Sequence, residues 1–452
     1  MKKLRRWAAI ALLVGGLQVW LILPAWAESD DELFGEDTTV RTGDQVVTND
    51  VGAELQKKQL SLTGQFEAET TVSRRAPSRD WLELPTATGD ELANRMTATL
   101  FGDIRMGPNF KSFLSFEASY FPEGREELKT GSISGPDGQP VEVRLREEKK
   151  SDYQIKEFFI DTNLQNKIYI RTGKQVLKWG RCYFWNPTDL INVEQKDFAD
   201  LDKIREGAYG TRIHIPSGTK RNLYFYLGTG NARAVDQVSL SGKYEFLVGN
   251  TEMSFSAWGK AGNQAVGYDI SGRLLKKYDL AGELSYSYGE QNRRLDPQSF
   301  QAEWQRRWIP RASLGLTRYF NYGELADRIR LTGELYYNGG GYGDNIFRRI
   351  SDPTVKTVFL EQFYNPYRIS KYYAACFGSV QKFIISELTF NLNAISNLVD
   401  QSGTVLAGVT YHPELSDFYL DCNLKGNFGG ASTEATFAGE TVSLDLVLKL
   451  MF

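Results

Sequence analysis

The chain has 452 residues, and 53 Lys and Arg against 56 Asp and Glu give a net charge of −3 at pH 7. This balance argues against a nucleic-acid-binding protein, which is normally basic. Mean hydropathy is −0.38, and because no long apolar run follows residue 27, the sequence argues against helical membrane spans in the rest of the chain.

The first 27 residues have the pattern of a secretory signal peptide. Four Lys and Arg residues within the first six positions precede an apolar core over 8–23, and Ala25, Trp26 and Ala27 form an A-x-A cleavage pattern. We therefore predict Sec-type export and cleavage before Glu28. An uncleaved anchor is the alternative, but the apolar run is short for a span, which needs roughly 20 residues.

Residues 28–59 differ in composition from everything that follows. The acidic stretch ESDDELFGED opens this segment and polar sequence follows it. Such composition is typical of a flexible lead-in, here on the periplasmic side. The alternative is that residues 28–59 dock as a small plug into the lumen of the domain that follows.

Residues 60–452 contain recurring segments of about ten residues in which apolar and polar residues alternate with the period of a strand. In one of them, Leu280, Leu284 and Tyr286 fall on one face, while Glu283 and Ser285 fall on the other. A dry sandwich core would have to pair such a charge, whereas a water-filled lumen accommodates it. The pattern therefore predicts an all-β fold, a transmembrane antiparallel up-and-down β-barrel.

The number of strands follows from counting these segments. Nineteen can be delimited, including 167–178 and 299–308, and the longer insertions near 73–94, 122–152, 179–206 and 339–370 are predicted to be loops. Single-chain bacterial barrels have an even number of strands, so at least one assignment is wrong. We predict about 18 strands, with 16 as the alternative.

The segment over 167–207 combines basic, aromatic and acidic blocks. A basic run ends one predicted strand, aromatic residues follow within 179–185, the sequence Asn-Pro-Thr-Asp over 186–189 signals a turn, and acidic residues continue to 202. A loop of this kind that folds inward would narrow a pore and create a transverse field across it. The alternative is an external loop whose aromatic residues form a girdle and whose charges bind lipopolysaccharide. The candidate pore-lining or constriction residues are Arg171, Lys174, Lys178, Arg181, Asp189, Glu194 and Asp197.

Part of this segment has a recognisable motif. The stretch Gly-Lys-Gln-x-x-x-Trp-Gly from Gly173 to Gly180, with Trp-Asn-Pro-Thr-Asp ending at Asp189, resembles a motif of uncharacterised porin-like outer-membrane proteins of Proteobacteria. Those proteins are in turn similar to exopolysaccharide-export barrels such as the alginate exporter. The resemblance covers about 40 residues and the two termini. It implies an outer-membrane barrel and leaves the substrate open.

The C-terminal sequence TVSLDLVLKLMF alternates without interruption and ends in an aromatic residue. A soluble domain can also end in an amphipathic strand, but this pattern resembles the closing strand of a bacterial outer-membrane barrel. In that family the terminal Phe belongs to the signal that the barrel-assembly machinery reads. The predicted barrel-closure residues are Leu444, Leu446, Leu448, Leu450 and Phe452.

The sequence offers little basis for catalysis. His214 and His412 have no local motif that suggests a hydrolase, and the spacing of Cys182, Cys376 and Cys422 matches no metal motif. We therefore predict no catalytic residue, no metal and no cofactor, and disfavour an outer-membrane lipid hydrolase.

The predicted function is passive passage of small hydrophilic solutes through an outer-membrane channel. The alternatives are a polysaccharide-export barrel and a non-conducting structural or adhesive surface barrel. The expected partners are outer-membrane lipid and lipopolysaccharide, the barrel-assembly machinery and the solute itself, with no nucleic acid; the sequence gives no oligomeric state.

Overall fold

The computed structural model describes residues 60–452 except 75–89, 106, 108, 135–139, 192–194, 202, 231, 276, 290–292, 297, 324, 415 and 438–441. The predicted signal peptide and the predicted lead-in or plug, residues 1–59, lie outside the described residues.

Eighteen strands of the described part form one antiparallel sheet, and two short strands over 293–295 and 302–304 pair in a separate sheet. The strands are β1 Leu60–Arg74, β2 Asp90–Arg105, β3 Phe110–Ser134, β4 Pro140–Leu164, β5 Ile168–Gln175, β6 Ala208–Ser217, β7 Arg221–Gly228, β8 Ser239–Val248, β9 Thr251–Lys260, β10 Asn263–Leu274, β11 Tyr278–Tyr288, β12 Arg293–Leu295, β13 Ala302–Trp304, β14 Ile309–Tyr322, β15 Leu325–Asn338, β16 Tyr372–Val380, β17 Leu388–Asn397, β18 Ser402–Tyr411, β19 Phe418–Phe428 and β20 Val442–Met451. The helices are α1 Pro353–Gln362 and α2 Glu434–Phe437, with 3-10 turns at Val235–Gln237 and Ile346–Arg348.

The sheet closes on itself because β1 pairs with both β2 and β20. At the seam Phe66 lies opposite Leu450, and the terminal Phe452 continues the pairing beyond the strand. The Phe452 N–H donates to the Gly64 carbonyl at 2.9 Å, and the Gly64 N–H donates to the Phe452 carbonyl at 2.7 Å. Closure leaves the sheet no edge strand, so the prediction of an antiparallel barrel of 18 strands is confirmed.

The two faces of the wall differ as the alternation predicts. Leu284 and Leu314 point outward and are 38% and 52% exposed, whereas their neighbours Glu283 and Ser313 point inward and are each 3% exposed. Successive strand residues face opposite sides, so this difference repeats around the wall. The outer surface is apolar and the inner surface carries charged, hydroxyl and amide groups.

The extra strand of the nineteen is the one predicted at 299–308. Only Ala302–Trp304 is extended there, in the small sheet with β12, which pairs with none of the barrel strands. Leu295 at the end of β12 is buried among apolar loop residues. This segment therefore packs with apolar loop residues and does not pair with a strand of the barrel wall.

The insertion predicted at 122–152 is largely strand. The long β3–β4 hairpin pairs Arg125–Ser134 with Pro140–Lys149, beyond a register shift after Tyr120. The sequence there is rich in charged residues and lacks a clear apolar face. Because ladder hydrogen bonds use only the backbone, this hairpin forms without the side-chain pattern that reveals other strands.

The two ends of the barrel differ in their connections. Short connections such as 165–167 and 249–250 lie at the end that also carries Leu60 and Phe452, hereafter the turn end. The long connections over 176–207, 339–371 and 429–441 lie at the opposite, loop end. No helix in the described ranges is long and apolar enough to cross a membrane.

Candidate functional site

The connection between β5 and β6, residues 176–207, lies inside the barrel and is called the belt. Its described residues include no strand or helix, so their N–H and C=O groups need partners other than a ladder or a helical turn. Residues of the inner wall supply many of these partners. The belt is therefore held in its conformation by hydrogen bonds to the wall it lies against.

Glu283 on β11 is the main attachment point of the belt. Its carboxylate accepts hydrogen bonds from the N–H groups of Arg181 at 2.6 Å, Cys182 at 2.7 Å and Thr188 at 3.0 Å. The Asn186 side-chain amide and the Thr188 hydroxyl also donate to it, at 2.9 and 2.7 Å. One buried carboxylate thus fixes the belt over 181–188.

Glu334 on β15 holds the next part of the belt in the same way. It accepts from the N–H groups of Phe184 at 2.9 Å and Trp185 at 2.6 Å, and from the Ser313 hydroxyl at 2.9 Å. The Lys196 ammonium donates to the Cys182 carbonyl at 3.1 Å, which links the two halves of the belt. Glu283 and Glu334 therefore act as a pair of carboxylate anchors.

Arg181 is enclosed by wall carboxylates. Its guanidinium pairs with Asp269 on β10 at 2.5 Å, with Glu245 on β8 at 3.2 Å, and also with Glu252 on β9. Lys243 on β8 pairs with Glu245 at 2.8 Å and so shares this network. Charge-assisted hydrogen bonds of this kind are stronger than hydrogen bonds between neutral groups. Arg181 lies inside the barrel, and its charge is paired with carboxylates of the wall.

The aromatic residues of the belt pack against the inner wall. Trp185 is fully buried and stacks on Tyr336, with ring centroids 5.2 Å apart and an interplanar angle of 8°. Phe184 and Phe198 are buried with Phe377 in the same apolar cluster. The Trp-Asn-Pro-Thr-Asp sequence thus attaches the belt to the wall.

The belt also reaches strands on other sides of the barrel. Asp200 lies 3.9 Å from the Lys449 ammonium on β20, and the Gly207 N–H donates to the Lys156 carbonyl on β4 at 3.0 Å. Arg205 pairs with Asp189 at 3.3 Å within the belt. The belt therefore lies across the lumen and narrows it.

The structure places the remaining candidate residues differently from one another. Arg171 faces the lumen, pairs with Asp161 through two bonds of 2.6 and 2.9 Å, and its guanidinium lies 3.8 Å from the Phe159 ring centroid. Lys178 is exposed, and Asp197 is exposed and lies 3.7 Å from the Lys203 ammonium. Glu194 lies outside the described residues.

Lys174 is on the outer face of the wall, contrary to the expectation that it lines the lumen. Its ladder partners Phe158 and Tyr209 are each 50% exposed on the outside. Its ammonium bonds to Glu206 at 2.6 Å. The spacing explains this: Lys174 is three residues after the inward Arg171, and an odd spacing on a strand gives opposite faces.

The wall carboxylates that hold the belt were missed among the candidates drawn from the sequence. Glu283 and Glu334 both occur in a Gly-Glu-Leu-x-Tyr sequence, with the carboxylate on the polar face of an alternating strand. That repeated signal marks both as inward acids, as the alternation predicts for Glu283. It could not have shown that they face the belt, because their partners are about 100 to 150 residues away in sequence.

A second group of loops forms a lid next to the belt. We define the lid as residues 339–371 with Leu295 and α2, because their apolar side chains share one cluster. The Trp185 indole N–H donates to the Tyr367 carbonyl at 2.9 Å, which joins the belt to the lid. The buried members of this cluster are Leu295, Tyr342, Ile346, Phe347, Ile350, Phe359, Ile369 and Phe437.

Glu434 in α2 connects the lid to the wall. Its carboxyl accepts from the Tyr367 N–H, the Tyr373 hydroxyl and the Asn397 side-chain amide, each at 2.8 Å. Burial, aided by the nearby Asp400 carboxylate, raises the pKa of Glu434 to about 7. Within the described part of the chain, no group of His, Cys, Asp and Glu residues is arranged to hold a metal ion.

The chain matches no protein-family model and no curated protein sequence. Its fold is similar to that of a BenF-like porin from Pseudomonas fluorescens Pf-5, with a TM-score of 0.52 and 11% identity over 87% of this chain and 99% of that chain. Acinetobacter baumannii OccAB1 gives a TM-score of 0.54 at 10% identity, with coverage of 87% and 97%. Pseudomonas aeruginosa OccK8 (OprE) gives 0.53 at 6% identity, with coverage of 87% and 98%. Because these sequence identities are low, the similarity shows that the chain shares their barrel fold and shows nothing more.

Proposed function

We propose that this protein is an outer-membrane channel through which small hydrophilic solutes pass without a chemical step. The observation that carries the proposal is the difference between the two faces of a closed barrel. Large apolar side chains such as Leu314 and Leu335 are exposed on the outside, at 52% and 55%, while charged and hydroxyl groups line the inside. An apolar outer band around a polar interior is the arrangement of transmembrane barrels.

The proposed orientation places the turn end in the periplasm and the loop end outside the cell. Short turns on the periplasmic side and longer external loops are usual in bacterial barrels. In this orientation Phe452 is periplasmic, on the side from which the assembly machinery would engage the closing strand. Lipid and lipopolysaccharide would surround the apolar outer face.

The belt sets the size and charge limits of the proposed channel. Its attachments to Glu283 and Glu334 fix it to the wall, and the positive charge of Arg181 is paired with three wall carboxylates. Solutes would therefore meet a rigid constriction in which most charges are already paired. This supports a small-solute channel over an exporter of a thick polymer.

Single-channel recording in planar bilayers tests the proposal. We expect reproducible conductance steps from the purified, refolded mature protein, and release of small sugars but not of large dextrans from liposomes. Heat-dependent migration on SDS gels checks first that the preparation is folded. A folded preparation that leaves bilayers silent and liposomes intact would instead support a non-conducting structural barrel, and release of long polysaccharide chains would support an exporter.

A further inference from the structure

The inward charges of the wall differ in how much solvent reaches them. Beneath the belt, the side chains of Lys243 and Asp269 are 4% and 0% exposed. On the strands beside the seam, those of Glu69 and Lys449 are 23% and 24% exposed, and that of Arg95 is 38% exposed. Because all five side chains point inward, the solvent that reaches the second group occupies the lumen. An open part of the lumen therefore lies along β19, β20, β1 and β2.

Lys449 on β20 lies where the belt approaches this open side. Its ammonium is 3.7 Å from Glu67 on β1, 3.9 Å from Asp421 on β19 and 3.9 Å from Asp200 of the belt. The Asp200 side chain is 41% exposed, so solvent reaches the belt as well as the wall at this point. The contact between Asp200 and Lys449 therefore narrows a solvated passage between the belt and the seam.

Arg95 on β2 extends this group of charges. Its guanidinium pairs with Glu69 at 2.5 Å and with Glu67 at 3.3 Å, and Glu67 also contacts Lys449. We call the residues linked in this way the seam group, which comprises Glu67, Glu69, Arg95, Asp200, Asp421 and Lys449. Four carboxylates against two cations give the seam group a net charge of −2.

The neighbouring charges on the last two strands leave this balance unchanged. Asp445 on β20 and Lys425 on β19 each lie four residues from a member of the seam group and therefore share its inward face. They contribute one charge of each sign. Rings of charged side chains select ions in channels, and a narrow passage with low-dielectric walls concentrates ions of the opposite sign. The excess of carboxylates therefore favours cations in the passage.

We propose that solutes cross the barrel along the seam, between the belt and the wall formed by β19, β20, β1 and β2, and that the seam group makes this passage selective for small cations. Lys449 is the specificity-determining residue, because its ammonium offsets the charge of three carboxylates at once. The inference rests on the proposed channel function and adds to it the path and the sign of the favoured charge.

The reversal potential of the mature protein in a KCl gradient tests the selectivity. The native channel should be more permeable to K⁺ than to Cl⁻. Lys449→Gln removes a cation and should raise this permeability ratio severalfold, whereas Glu69→Gln/Asp421→Asn removes two carboxylates and should lower it severalfold. A merely structural disturbance of the seam would not produce shifts of opposite sign.

Two controls match these changes. Lys449→Arg keeps the charge and should keep the native ratio. Asp236→Asn/Asp344→Asn removes two exposed carboxylates of the loops and should also keep it. Heat-dependent migration on SDS gels checks that each variant is folded. A conducting channel that prefers Cl⁻, or that responds no more to Lys449→Gln than to the controls, overturns the inference and leaves the channel function in place. Silence of the folded native protein overturns the channel function and the selectivity with it.

Cysteine labelling locates the path independently of the ion selectivity. In a background in which Cys182, Cys376 and Cys422 are replaced by Ser, the thiol introduced by Glu69→Cys should react with a small charged thiol reagent, and the adduct should reduce the conductance. Ser285→Cys is the control, because Ser285 points inward on β11 but is only 1% exposed and should react slowly. Mass spectrometry of the folded protein measures both reactions. Reaction at position 69 that is no faster than at position 285 overturns the seam path.

Discussion

Glu283 and Asp161 are both carboxylates on inward faces of the same barrel, yet they have different kinds of partner. Glu283, midway along β11, accepts five hydrogen bonds from the belt, three of them from backbone N–H groups. Asp161, near the turn end of β4, pairs with Arg171 on the adjacent strand. Wall charge therefore holds an inner structure in the first case and stays paired within the wall in the second.

This difference teaches that inward charge does not by itself make a pore-lining residue. A buried carboxylate surrounded by N–H donors stabilises an irregular segment that has no ladder of its own. A carboxylate that meets an arginine on the next strand stabilises only the wall. The belt therefore depends on a few wall residues, and removing them is the most direct way to test the comparison.

The largest effect is expected from Glu283→Ala. Loss of the carboxylate leaves several buried donors of the belt without an acceptor, at about 1–3 kcal/mol each where water cannot replace it. We expect faster hydrogen exchange over 181–188 and a larger, noisier conductance. Asp279→Ala, on the same strand in an exposed pair with Arg273, is the matched control. Unchanged exchange over 181–188 in the Glu283 variant would contradict the anchor role.

The pH dependence of the lid should be the next largest effect. Burial raises the pKa of Glu434 from 4.5 to about 7, so its contribution to lid stability is fully present below pH 4.5 and is lost as pH rises through about 7. The difference is at most about 3 kcal/mol. Exchange of the Tyr367 amide, corrected for its intrinsic rate, should be slower at pH 5 than at pH 8. The Glu434→Gln variant should lose this dependence, and its persistence there would exclude Glu434 as the cause.

The seam of the barrel should be sensitive to Gly64→Ala. A Cβ at Gly64 would lie 2.6 Å from Cζ of Phe452 and 2.8 Å from the Thr99 carbonyl oxygen, whereas one at Gly333 meets no atom within 4 Å. Overpacking of this kind costs about 1–3 kcal/mol. We expect a lower unfolding midpoint in urea for Gly64→Ala than for the control Gly333→Ala. Equal midpoints would show that the terminal Phe moves freely at the seam.

The smallest effect is expected from Lys178→Ala. This side chain is exposed at the start of the belt, and an exposed charge contributes about 0–1 kcal/mol to stability. The unfolding midpoint should stay within error, and the reversal potential in a salt gradient should shift slightly toward cations. A large shift would mean that Lys178, rather than the anchored Arg181, sets the charge of the constriction.

Much of the wall could be predicted, because strand alternation is a pattern among neighbouring residues. The alternation of Leu284 and Glu283, or of Leu335 and Glu334, is visible in sequence because each strand presents two faces to two different media. The prediction was wrong at 299–308 and incomplete at 122–152, where the pattern was short or masked by charge. The basic run predicts Lys174 in the lumen together with Arg171, but the odd spacing between the two residues places Lys174 on the outer face.

The sequence by itself determined the class of the fold and the residues of the closing strand, because strand periodicity and the terminal pattern act over a few neighbouring positions. Only the tertiary structure decided where the belt lies and what its charges do. The bonds that hold it join residues such as Arg181 and Glu283, 102 positions apart, and closing such distances depends on the whole barrel being formed. The same applies to a cavity of about 710 Å³ at the turn end, because its lining cations Arg105, Lys111, Arg171 and Arg212 come from four strands that the wall brings together.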